Sequence, residues 1–138
     1  MKTLNLRCTT FGILLTLILF SISCAKHTHM PSIAGKWSGS YQFLNYDYDF
    51  IMNFELLEDG NLIVRDDPNE PDRITGTGLW RLENTFFEAS VWYYDDPIDV
   101  FYYHAQMNGD RTHLESGKWG VYPSVDNGGT WKMTKHRD

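Results

Sequence analysis

The chain has 138 residues, 42% of them hydrophobic and 15% aromatic, with a formal net charge of −6. An acidic domain without a basic stripe repels polyanions, which excludes nucleic acid and direct binding of anionic headgroups. Residues 1–23 read as a secretion signal. Lys2 and Arg7 open it, an apolar run over 12–20 is interrupted by Thr16, and the small residues Ser21-Ile22-Ser23 precede Cys24. That run is shorter than the roughly 20 residues a spanning helix needs. Its removal takes Lys2 and Arg7 away and leaves the rest more acidic still.

Small residues followed directly by a cysteine resemble the lipobox of bacterial lipoproteins, with Ser21 standing where that family usually has leucine. The resemblance implies that the Cys24 thiol takes a diacylglyceryl group and that Cys24 becomes the first residue of the mature chain. An ordinary cleaved signal with an incidental cysteine is the alternative. Cys8 lies inside the signal, so the mature chain has no second cysteine for an internal disulfide, and lipidation accounts for Cys24. The expected address is the cell envelope, anchored by lipid to a membrane, most simply the outer membrane, with the domain on its periplasmic or surface face. Residues 24–33 lack periodicity and contain a proline, so they read as a tether. His27 and His29 on it have no third ligand, and no metal site is expected there.

From residue 34 onward the apolar residues recur with period two. A first strand over 35–43 places Trp37, Gly39, Tyr41 and Phe43 on one face. A second over 46–56 places Tyr46, Tyr48, Phe50, Met52, Phe54 and Leu56 together. Asp59-Gly60 signals a tight hairpin turn into a short third strand over 62–65. Residues 66–72 carry two prolines and four acids and are excluded from strand. Strands four, five and six are predicted over 74–82, 86–94 and 100–107, joined by turns at Asn84 and by a second acidic loop over 95–99. After a tight turn at Gly109, a final hairpin over 114–135 supplies strands seven and eight around Asn127-Gly128-Gly129, residues that tolerate positive φ. Gly-x-Trp recurs at Gly35, Gly78 and Gly117 within these strands.

Eight short strands joined by brief connections predict an all-β, antiparallel, up-and-down barrel over residues 34–138, a strand number at which a sheet can close and lose its edges. A β-sandwich is the alternative. If direction alternates, the tight turns at Gly60, Asn84 and Gly109 gather at one end and the loops over 66–72, 95–99 and 121–128 at the other. The first end is closed and the second is a mouth.

This layout, with Gly35-Lys36-Trp37 on the first strand, resembles the calycins, the superfamily of lipocalins and avidins. Asp99-Val100-Phe101-Tyr102 loosely resembles the lipocalin Thr-Asp-Tyr motif. The helix that follows a lipocalin's eighth strand has no counterpart, and neither do the biotin-binding residues of avidin. The resemblance implies that Trp37 plugs the closed end beneath a basic residue, Lys135 or Arg137, and that the barrel holds a small ligand.

No serine, cysteine or histidine constellation points to catalysis, so an enzyme is not expected, and no cofactor is implied. Tyrosines fall at strand ends near the mouth, where amphipathic rings either stack on a flat ligand or cap a dry core. The candidate binding residues are Tyr48, Tyr93, Tyr102, His104 and Trp119, with His104 sharing a face with Tyr102 and Gln106; an outward, merely surface-exposed His104 is the competing reading. Asp66, Asp67, Glu70, Asp72, Asp95, Asp96 and Asp99 would ring the opening, favouring a neutral or cationic ligand unless Arg65 or Arg73 pairs with an anion. Whether the 66–72 loop holds calcium stays open; it lacks the ladder of an EF-hand. The competing function is a protein-interaction or inhibitor-type lipoprotein that grips a basic partner with these acidic loops.

Overall fold

The structure is a computed structural model and describes residues 32–137. Its eight strands are β1 (Gly35–Phe43), β2 (Phe50–Leu56), β3 (Asn61–Val64), β4 (Gly76–Glu83), β5 (Phe86–Tyr93), β6 (Phe101–Met107), β7 (His113–Val121) and β8 (Gly129–Lys135). Each pairs antiparallel with the next, and β1 pairs with β8, with Gly39 opposite Met133, so the sheet closes into a barrel. The barrel, not the sandwich, is the fold. Closure leaves no strand edge to template association.

Alternation decides which side chains go inside. In β2, Met52, Phe54 and Leu56 are buried, while Ile51 is exposed and Asn53 and Glu55 between them are only partly covered. Leu62 and Val64 of β3 and Phe87, Ala89 and Val91 of β5 continue the same interior. Burying a large apolar side chain contributes about 1.5–3 kcal/mol, so this alternation is the main source of stability.

The Gly-x-Trp units are explained where β7 meets β8. Gly117 lies opposite Trp131 and Trp119 opposite Gly129, so each indole is set against a residue without a side chain. A Cβ on Gly117 would fall 2.7 Å from the Trp131 ring. The buried Trp131 indole N–H donates to the carbonyls of His104 at 3.1 Å and Lys118 at 2.9 Å, beside the register shifts in β6 and β7, so it does not incur the cost of a buried unpaired donor.

Several strand boundaries differ from the sequence reading, most of them by one or two residues. Strand two was predicted from Tyr46 but starts at Phe50, because residues 44–49 turn instead. Asn45 takes φ 71°, and the Leu44 and Tyr46 N–H groups donate to the Gly128 and Phe43 carbonyls. Strands four and six start at Gly76 and Phe101.

At one end the connections are the tight turns after β2, β4 and β6. The Asp59 carboxylate accepts from Asn61 N–H at 3.0 Å, Gly60 takes φ 86°, and Asn84 takes φ 57°. Trp37 fills this end and is fully buried. The resemblance implied a basic cover over it, Lys135 or Arg137; Lys135 lies opposite Trp37 in the β1–β8 ladder and directs its ammonium to the Ser32 carbonyl at 3.3 Å, Arg137 is exposed, and Ile33 is buried with the ring. The Trp37 indole N–H donates to the Ile33 carbonyl at 2.9 Å. Ile33, read as tether, is thus part of the plug.

Candidate functional site

The four connections at the other end, after β1, β3, β5 and β7, are the longer ones, and beneath them the barrel is floored by aromatic rings. Trp119 is the base. Its ring meets Phe43 at 5.0 Å and Tyr41 at 5.7 Å, both edge-on, and its indole N–H donates to the Gln42 carbonyl at 3.0 Å. Tyr41 stacks on Phe50 at 5.2 Å, Phe50 meets Tyr48 at 4.7 Å, and Tyr48 meets Tyr46 at 5.6 Å. Such contacts add about 0.5–1.5 kcal/mol each beyond area burial where the rings are buried, as around Trp119, and less at the exposed Tyr46 and Tyr48. The chain of rings climbs from a buried indole to the surface, where Tyr46 and Tyr48 are 53% and 54% exposed.

On the opposite wall, Tyr93 meets Phe101 at 5.1 Å and its hydroxyl shares a 2.8 Å hydrogen bond with that of Tyr103. Burial pushes both phenols well above their ordinary range. For Tyr93 the neighbouring Tyr103 adds to the rise, and for both the charge of Asp66 adds further. Burial, then Asp66, also raises Tyr41. The Asp66 charge thus bears on all three phenols.

Below this layer the interior is occupied by side chains. Phe54, Phe87, Tyr103 and Trp131 are in mutual ring contact at 5.5 to 6.0 Å. The interior beneath the mouth is thus filled by the core.

The acidic loops frame the opening, and the two arginines that would reverse their field are engaged. Arg65 pairs with Glu55 at 2.7 Å, and Arg73 lies 3.4 Å from Asp67 and 3.8 Å from Asp95. In the 66–72 loop, one Asp67 oxygen accepts from the Asn69 and Glu70 N–H groups. Among the described residues no three His, Cys, Asp or Glu side chains group as a metal site.

Of the five predicted binding residues, Tyr93 and Trp119 face inward at the mouth and Tyr48 stands on its rim. Tyr102 and His104 do not join them, because in β6 it is Tyr103, Ala105 and Met107 that are buried. His104 faces outward, with Nε2 3.5 Å from Glu88, whose carboxylate also accepts from Arg81; Tyr102 meets Tyr122 edge-on at 5.5 Å. These two residues line a cleft of about 320 Å³ on the outer wall of β4 to β6 instead. Sequence reasoning missed Tyr41 and Phe50 as rings of the mouth. Cys24, His27 and His29 lie outside the described residues. No protein-family model, curated protein or solved structure matches the chain.

Proposed function

We propose that the protein is a lipid-anchored component of the cell envelope, held by Cys24 in the manner of a bacterial lipoprotein, that binds a small neutral or cationic ligand on the aromatic mouth of a calycin-like barrel. The observation that carries this reading is the ladder of rings from Trp119 through Tyr41 and Phe50 to the half-exposed Tyr48, inside a collar of acids. Exposed tyrosines contribute little to stability where they stand, whereas a ligand with a flat ring or sugar face gains stacking area on them. The acidic collar makes anionic ligands poor candidates.

A second reading is supported by the filled interior: the same collar and rim would suit a basic protein partner, whose binding falls steeply with salt. The test has two arms. Cys24→Ser should release the protein from the membrane fraction without an acyl label; retention unchanged would contradict the anchor. Titration of the full chain in neutral detergent with phenyl β-glucoside, followed by tryptophan fluorescence, should saturate, and Tyr48→Ala should weaken binding roughly threefold to tenfold. A flat titration would leave the protein-partner reading in its place.

A further inference from the structure

The outer wall carries two adjoining clefts that the mouth leaves unused. Strand register explains the first. Ser90 lies opposite Leu79 on one side and Tyr102 on the other, and Glu88 opposite Arg81 and His104, so a small residue is ringed by large ones. The space above it is the cleft of about 320 Å³ over β5. His104 also lines a second cleft, of about 200 Å³, with Phe86, Gln106, Lys118 and Asp126. Neighbouring strands are about 4.8 Å apart, so the two clefts, one over β5 and the next toward β7, follow each other at roughly 5–10 Å with His104 between them.

The two clefts repeat one chemistry. Each has an aromatic ring: Tyr102, met edge-on by Tyr122 at 5.5 Å, in the first, and Phe86, edge-on to His104 at 5.2 Å, in the second. Each has an ion pair that closes on itself. Glu88 accepts from Arg81 and lies 3.5 Å from His104 Nε2, and Lys118 Nζ donates to Asp126 at 2.7 Å. Charge is therefore balanced within each cleft, while most of the polar sites stay open. Arg81 engages Glu88 through Nε, which leaves the rest of its guanidinium fork to donate, and a carboxylate has lone pairs to spare. Among the described residues the Ser90 and Tyr102 hydroxyls make no hydrogen bond.

We propose that this wall binds a neutral oligosaccharide, one ring in each cleft and the linkage over His104. The inference is separate from the mouth and does not rest on it. A sugar hydroxyl donates and accepts at once, which suits ion pairs with open sites on both partners, and the C–H face of each ring packs on Tyr102 or Phe86. A charged ligand gains little, because each cleft already neutralises its own charges. An extended peptide gains affinity by adding a strand to a sheet edge, and the closed barrel presents none.

The experiment follows the His104 ring C–H and Trp119 indole N–H resonances of the full chain, in a neutral detergent without a sugar head, during titration with cellobiose, N,N′-diacetylchitobiose and methyl β-glucoside. At least one disaccharide should move His104 saturably and bind about threefold or more tighter than the single ring, with Trp119 unmoved. Ser90→Leu, which fills the first cleft from an outward position, should weaken that disaccharide at least about tenfold. Phe86→Ala, in the second, should reduce it to the level of methyl β-glucoside. An unchanged Trp119 resonance in both variants shows that the barrel is intact. His104 unmoved by every sugar, or moved as strongly in Ser90→Leu, overturns the inference. A sugar that moves Trp119 and leaves His104 in place belongs to the mouth and overturns it too. Movement of His104 by tetra-alanine and by no sugar would give the wall to a peptide instead.

Discussion

Trp37 and Trp119 occupy the two ends of the barrel and are in most respects alike. Each follows a glycine by two residues, each is buried, at 0% and 4% exposure, and each donates its indole N–H to a backbone carbonyl, of Ile33 at 2.9 Å and Gln42 at 3.0 Å. What differs is what lies over them. Trp37 is covered by Ile33 and by tight turns, so its ring belongs entirely to the core. Trp119 is covered by Phe43 and Tyr41, and through Phe50 by Tyr48, rings that reach solvent because the loops above are too long to close over them. The same short motif makes a plug at one end and the floor of an aromatic mouth at the other, with short connections over the first and longer ones over the second.

The contrast breaks most visibly by mutation. Trp37→Ala should cost about 3–5 kcal/mol, because the surrounding turns cannot collapse into the cavity. Tyr48→Ala, half exposed, should change stability by no more than about 0.5 kcal/mol while still weakening ligand binding. Denaturant melts of the two variants check this, and equal losses would erase the distinction between plug and rim. A smaller effect comes from pH. The phenols of Tyr93 and Tyr103 are held neutral in the folded state well above their ordinary range, so their contribution is complete below the unfolded value near ~10 and is lost as pH rises toward the folded values. Melts at rising alkaline pH should show stability falling from about pH 10 upward, and Tyr103→Phe should make that fall shallower. A fall of the same steepness in the variant would place the alkaline weak point elsewhere.

The plug end was more legible in the sequence than the mouth. Period-two alternation, Asp59-Gly60 and Asn84 are local signals, and local signals decide strands and tight turns. The inward set of β2 could be read directly because Met52, Phe54 and Leu56 are separated by Asn53 and Glu55. In β6 the pattern is ambiguous. Phe101, Tyr102 and Tyr103 are all aromatic, so either face could be the buried one; of the two readings of the more polar set with His104, pocket or surface, the outer wall is the one observed. Residues 46–49 read as strand two because Tyr46 and Tyr48 keep its spacing, although Asn45 turns the chain. Ile33 acts through Trp37, whose indole N–H its carbonyl accepts, a contact that strand alternation does not name. The pairing of Arg65 with Glu55 and of Arg73 with Asp67 and Asp95, which leaves the mouth without a free cation from either, depends on register.

The central claim is that a small ligand with a flat ring binds at the Trp119 end, and the five tryptophans report on it separately. In an NMR titration of the full chain with phenethylammonium, the indole N–H resonance of Trp119 should move. Those of Trp37 and Trp80 at the closed end should stay, as should that of Trp92 on the outer wall. A shift of Trp92 with Trp119 unmoved would put the ligand on the outside of the sheet and contradict the account.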